Sequence, residues 1–118
     1  MKILAAIKRV SDPDNANKVK ISADGKAVTT EGLAWDVNPF CLYGVEAAIR
    51  LTEDGAKKAR IGEVVVATLG PQDVGIQLRR CLAMGAERAI RVEAEDTKID
   101  GWVVARALAK LVEQEKPD

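Results

Sequence analysis

The order of strand-like and helix-like segments predicts an α/β fold: a parallel sheet with helices on both faces and a small β-hairpin at its periphery. Three observations carry the prediction. Residues 3–7 (ILAAI) and 63–69 (EVVVATL) are short, continuous apolar runs of strand length, as expected of strands buried on both faces. Apolar residues recur at helical spacing after each of the strand-like segments that matter, over 42–52, 74–82 and 103–112. Strands separated by helices pair in parallel through right-handed crossovers, which puts helices on the sheet.

Taken in order, the first strand ends at Lys8-Arg9 and runs into the turn-rich Ser11-Asp12-Pro13-Asp14-Asn15. Segments 19–22 and 26–29 flank Ala23-Asp24-Gly25, and Asp-Gly between alternating segments is a hairpin signal. Its few apolar residues make this hairpin exposed. Asn38-Pro39 opens the first helix, because Asn caps free N–H groups and Pro is tolerated at the first helical position. Leu42, Val45, Ala48, Ile49 and Thr52 continue it to Asp54, with Gly55 as the stop. Gly70-Pro71 breaks the second strand and opens a second helix with Val74, Leu78, Cys81 and Leu82 on one face, ended by Gly85. Residues 88–92 form a third strand and 93–98 a charged loop. The last helix covers 100–115, with an apolar stripe of Val103, Val104, Ala107, Leu108, Leu111 and Val112 and with Trp102 packing near its start. Pro117-Asp118 looks like the turn into a further strand. Residues 1–118 therefore read as the N-terminal part of one larger, truncated domain.

Composition excludes several functions. The 118 residues carry 18 Lys+Arg against 18 Asp+Glu; nucleic-acid and membrane-surface binders depend on excess positive charge, so neither partner is expected. With no histidine there is no Ser-His-Asp or Cys-His constellation and no imidazole metal site. No side chain has an ordinary pKa near 7, so general acid–base work would need a strongly shifted Glu, Asp or Lys, and the lack of a nucleophile constellation fits a role without covalent chemistry. Cys41 and Cys81 have no CxxC spacing and read as thiols packed in the interior rather than a disulfide. The N-terminal apolar run is too short for a signal peptide and no run approaches the ~20 residues of a membrane span, so a cytoplasmic location is the default.

Motifs narrow the chemistry further. Gly70 to Gly75 has the G-x4-G spacing of a phosphate loop, but Ile76 and Gln77 stand where Lys and Ser/Thr belong. What remains is a Gly-Pro turn at the carboxyl end of a central strand, which is either a simple turn or part of a ligand site. No G-x-G-x-x-G follows the first strand, and Asp12-Pro13-Asp14 fails as a calcium loop. Asn38-Pro39-Phe40-Cys41 is the most unusual tetrapeptide. It is either a capped helix start with Phe40 and Cys41 packed inward or a rim beside the first strand able to hold a planar base or an anion. Three of the four aromatic residues fall at 35–43, which favours a site or an interface there.

Several stretches together resemble the β subunit of electron-transfer flavoproteins: MKILAAIKRVSDP at 1–13, NPFC at 38–41, VEAAIRL at 45–51, VVVATLGP at 64–71, LRRCLAMGAERAIRV at 78–92 and VARALAKLVEQEKPD at 104–118. The resemblance implies a Rossmann-like, adenine-nucleotide-binding fold of the α-hydrolase-like kind. It implies pairing with an α subunit that holds most of the FAD. The complex would pass electrons from dehydrogenases, such as those of acyl-CoA oxidation, to a quinone reductase. It further implies a structural AMP in the β subunit, or a second FAD in bifurcating relatives. Carried over by position, the AMP contacts would be Ala6, Asn38, Pro39, Phe40, Cys41 and Leu69. Members of the family continue beyond residue 118 with a strand, a Gly-rich acidic loop that contributes to phosphate binding, and the loop that recognises dehydrogenases. Read from the residues alone, Ala6 and Leu69 lie at carboxyl ends of parallel strands, where ligands of open α/β sheets collect, and a small residue at 6 lets an adenosine approach the backbone.

Two other readings compete. One is a stand-alone adenine-nucleotide-binding module of the universal-stress-protein type, which would need a Gly-rich phosphate loop late in the chain. The other is an interaction domain whose strand-end crevice is filled by side chains.

Overall fold

The computed structural model describes residues 1–118, apart from the side chain of Ala16. In chain order the strands are β1 (Lys2–Ala6), β2 (Arg9–Ser11), β3 (Lys20–Ile21), β4 (Val28–Thr29), β5 (Trp35–Val37), β6 (Glu53–Asp54), β7 (Ala59–Arg60), β8 (Glu63–Gly70) and β9 (Arg88–Glu93). The helices are α1 (Pro39–Leu51), α2 (Gly75–Met84) and α3 (Gly101–Glu115), and short 3-10 turns cover Pro13–Lys18, Gln72–Val74 and Asp96–Lys98.

The main sheet is parallel, in the order β1-β8-β9. β8 is central because its side chains can be buried on both sides, and Val64, Val65, Val66 and Ala67 are fully inaccessible. Side chains alternate along a strand. Val64 and Val66 pack with Val45, Ala48 and Ile49 of α1 and with Leu78 and Cys81 of α2. By that alternation Val65 and Ala67 face the other way, toward α3. The expected α/β architecture with helices on both faces is thus present, and α3 returns to lie against β1. The backbone after α3 meets β1 directly: Asp118 N–H donates to Lys2 O at 2.9 Å, and Lys2 N–H donates to the Asp118 carboxylate at 2.6 Å.

Local chemistry explains the element ends. Asn38 Oδ1 accepts from Phe40 N–H at 2.9 Å with Pro39 next to it, so α1 starts where the sequence places it. It ends earlier than expected. Thr52, fully buried, turns its hydroxyl back onto Ile49 O at 2.8 Å and Ala48 O at 3.2 Å. Glu53–Asp54 then pairs with Ala59–Arg60 instead of continuing the helix. Gly85, at φ +122°, stops α2 as predicted, in a backbone region that disfavours any Cβ. Asp100 Oδ1 accepts from Val103 N–H at 2.8 Å and starts α3.

Other expectations need correction. Trp102 is 70% exposed rather than packed, and Val103 and Val112 of the α3 stripe are exposed while Leu111 is buried. Leu82, expected on the inner face of α2, is exposed as well. Cys81 is buried as a core thiol and burial pushes its pKa up; Cys41 is only half-buried. The hairpin forms between β3 and β4 with Ile21 opposite Val28, both exposed as expected. Not foreseen is the antiparallel ribbon of β2 and β5, with Arg9 opposite Val37 and Ser11 opposite Trp35.

Candidate functional site

At the carboxyl ends of β1 and β8, a cavity of about 510 Å³ opens toward the first half of α3. Its apolar wall is built from Ile7, Ala67, Leu69, Ile99, Val104 and Leu108. Lys8, Arg9, Asp96 and Asp100 supply a charged end. The size and the mix of apolar wall with few polar groups fall within the range of small-molecule sites, roughly 300–1,000 Å³. The parallel topology explains the place: the three parallel strands of the main sheet end on the same side, where ligands of open α/β sheets collect.

Of the six sequence-predicted contacts, Ala6, Cys41 and Leu69 line this cavity. Phe40 lines a neighbouring groove of about 350 Å³ along β1 and α1, which it shares with Ala6 and Cys41. Asn38 spends its side-chain oxygen on the cap of α1. Pro39 sets the first turn of that helix and is exposed. Phe40 does not pack inward: it is 80% exposed and meets Tyr43 edge to face, with ring centroids 6.3 Å apart. The aromatic group at 35–43 therefore divides. Phe40 and Tyr43 face outward on α1, whereas Trp35 lies under a guanidinium on the ribbon.

That guanidinium belongs to Arg9, which sequence reasoning treated only as a charge following β1. Its Nη1 donates to Asp73 Oδ2 at 2.7 Å and its Nη2 to Asp96 Oδ2 at 2.5 Å. Its centre sits 4.6 Å from the Trp35 ring centroid, a cation–π arrangement. Burial opposes its charge, but the hydrogen bonds to Asp96 and Asp73 outweigh that and hold its pKa above the ordinary value. Asp73 follows β8 and Asp96 follows β9, so one side chain ties the exits of all three strands together. Behind it, Gln77 Nε2 donates to Trp35 O at 3.0 Å and Arg80 pairs with Asp36, fastening the ribbon to α2. The only sequence clue to this cluster is the rarity of Trp; its members come from four separate segments.

The Gly70-Pro71 turn is tight for a reason other than phosphate binding. A Cβ on Gly70 would lie 2.6 Å from Val74 Cγ1. The glycine admits Val74 over the strand end, and neither it nor Pro71 lines the strand-end cavity.

Comparison with known proteins decides the family. The model of the electron transfer flavoprotein domain matches residues 26–118. The chain belongs to the electron transfer flavoprotein domain family. Human electron transfer flavoprotein subunit beta is 41% identical over 121 aligned positions, which span 100% of this chain and 45% of that protein. The Bradyrhizobium diazoefficiens subunit beta is 40% identical over 99% of this chain and 44% of its own length. A rice protein (Oryza sativa subsp. japonica) named as a mitochondrial subunit beta is 42% identical over 99% of this chain and 45% of its own. The chain thus spans a little under half the length of these relatives. No helix among the described residues is long and apolar enough to cross a membrane.

Proposed function

We propose that the polypeptide carrying these residues acts as the β subunit of an electron-transfer flavoprotein in the cytoplasm. It would pair with an α subunit and carry electrons from dehydrogenases, such as acyl-CoA dehydrogenases, to a quinone reductase. Residues 1–118 would supply the adenosine side of a structural AMP site, or of a second FAD in a bifurcating type. The observation that carries this reading is the cavity at the ends of β1 and β8, where Ala6, Cys41 and Leu69 come together.

The residues present fit an adenosine better than a phosphate. Ala6 is exposed at the strand end and adds no bulk, so a base can reach the backbone. The Leu69, Val104 and Leu108 side chains offer an apolar surface to a flat ring. The N-terminus of α3, which would otherwise attract an anion, already has the Asp100 carboxylate on it. The phosphate would therefore be held by groups outside this cavity. FAD, held mainly by the α subunit, would supply the redox chemistry. This chain's residues shape the nucleotide pocket and exclude water from it, and no covalent step is assigned to them.

The test is co-expression of the full polypeptide with its α subunit, followed by an absorbance scan and acid release of bound nucleotide. A stable yellow complex that releases stoichiometric AMP is expected. Absence of a complex, or a complex without flavin, overturns the reading. Tight ATP binding by the polypeptide without an α subunit would favour a stand-alone nucleotide module instead.

A further inference from the structure

The two ends of α3 are fastened differently. At its carboxyl end Leu111 is buried, Lys2 Nζ donates to Glu115 O at 2.9 Å, and Arg88 pairs with the Glu115 carboxylate. At its amino end no residue from Glu95 to Val103 is buried. Among the described residues, one hydrogen bond leaves the stretch 95–114: Arg9 Nη2 donates to Asp96 Oδ2 at 2.5 Å. Between the two fastenings Ile99, Val104 and Leu108 form the wall that faces the strand ends, and Arg9 and Asp96 line the same cavity. An exposed ion pair ordinarily holds little, because two mobile side chains must be ordered to make it. Arg9 is ordered beforehand. Its side chain is 10% exposed, its Nη1 is on Asp73, and its guanidinium centre sits 4.6 Å from the Trp35 ring centroid. Only Asp96 remains to be ordered, and a hydrogen bond between charged partners is of the stronger kind.

We propose that Arg9 is a positioning residue of the candidate site: through Asp96 it latches the start of α3 over the strand ends and so holds the apolar wall against a bound nucleotide. The latch stands on the fold, and its effect on a ligand rests on the nucleotide reading above. Because α3 is anchored from Leu111 onward, release of Asp96 lets the helix swing about that end. The swing carries Val104 and Leu108 away from Leu69 and widens the cavity that the three line. Asp73 provides the internal control. It takes the other Nη of Arg9, at 2.7 Å, yet it follows β8 and does not line the cavity. An Arg9 with a merely structural role needs both carboxylates alike, whereas a latch needs Asp96. The rival holder of the wall is the apolar contact of Val104 and Leu108 by itself, which would keep α3 in place without the ion pair.

The test uses the full polypeptide paired with its α subunit. Asp96→Ala and Asp73→Ala each truncate an exposed side chain and are expected to fold; Asp96→Asn serves if Asp96→Ala does not. Hydrogen exchange without ligand is read first. Asp96→Ala is expected to speed exchange of the amides of residues 105–108 about tenfold and to leave those of residues 112–115 unchanged, while Asp73→Ala changes neither. Unchanged exchange at 105–108, equal acceleration along the whole helix, or the same effect from Asp73→Ala overturns the latch. Dissociation of AMP and of adenosine is then followed by stopped flow. Asp96→Ala is expected to speed both by the same factor, again about tenfold, because the wall meets the part that the two ligands share. Faster amide exchange with unchanged dissociation overturns the positioning role. If the wild-type protein binds neither AMP nor adenosine, the nucleotide reading fails and takes the ligand half of the proposal with it, while the exchange result still decides the latch.

Discussion

The two faces of β8 use similar side chains for different ends. On one face Val64 and Val66 are inaccessible and join α1 and α2 in a continuous core. On the other, Val65 and Ala67 are equally inaccessible, yet α3 above them buries only Leu111 and leaves the 510 Å³ cavity at the strand ends. Continuous packing gives stability; a gap in packing gives room for a ligand. The same apolar strand serves both because its side chains alternate.

The sharpest way to break this comparison is a matched pair of truncations. Ile49→Ala, in the packed face, is expected to cost ~2–5 kcal/mol in chemical denaturation. Leu108→Ala, at the half-buried cavity wall, is expected to cost nearer ~1 kcal/mol. Equal losses would mean that α3 is packed as tightly as α1.

Gly70 lies between the regions, where β8 leaves the sheet. Gly70→Ala forces a methyl against Val74 and is expected to cost ~1–3 kcal/mol as overpacking, read as a lowered unfolding midpoint. A neutral result would show that Val74 shifts freely.

Glu87 tests the other end of the sheet through pH. Its carboxylate accepts from Val64 N–H at 2.6 Å and from Arg60 Nη2 at 2.6 Å. Burial alone would raise its pKa, but the Val64 N–H and Arg60 outweigh burial and hold it below the ordinary glutamate value. The folded state therefore binds this proton less readily than the unfolded state. The stabilisation is complete above the unfolded pKa and is lost as pH falls through the lowered folded value. Glu87→Gln is expected to cost ~1–2 kcal/mol at neutral pH, with the difference from wild type vanishing in acid. A pH-independent difference would contradict the charge argument. The smallest effect is reserved for Trp102→Ala, which should leave stability within about 0.5 kcal/mol because the ring is exposed.

The sequence makes some elements legible and conceals others for physical reasons. β1 and β8, and the start of α1, are readable because continuous apolar runs and an Asn-Pro cap are local signals. The end of α1 is not, because Thr52 caps through its own hydroxyl while Gly55 looks like the stop. The ribbon of β2 and β5 is three residues a side with mixed polarity, and its strands meet across a long excursion. Three of the six expected positions, Ala6, Cys41 and Leu69, line one cavity. Asn38 and Pro39 form the start of α1. Arg9 stays hidden because its partners Trp35, Asp73 and Asp96 are distant in sequence, and no spacing rule joins them.

The ribbon also makes the chain modular. Asp12 N–H donates to Ala34 O at 2.9 Å, closing the base of the excursion, and among the described residues between them none is buried. The core gains nothing from those residues, so the excursion behaves as a handle on a locked hinge. A peptide tag or fluorophore spliced at the Asp24-Gly25 turn should leave both the packed face and the cavity undisturbed, which makes that turn a place where the chain accepts a label.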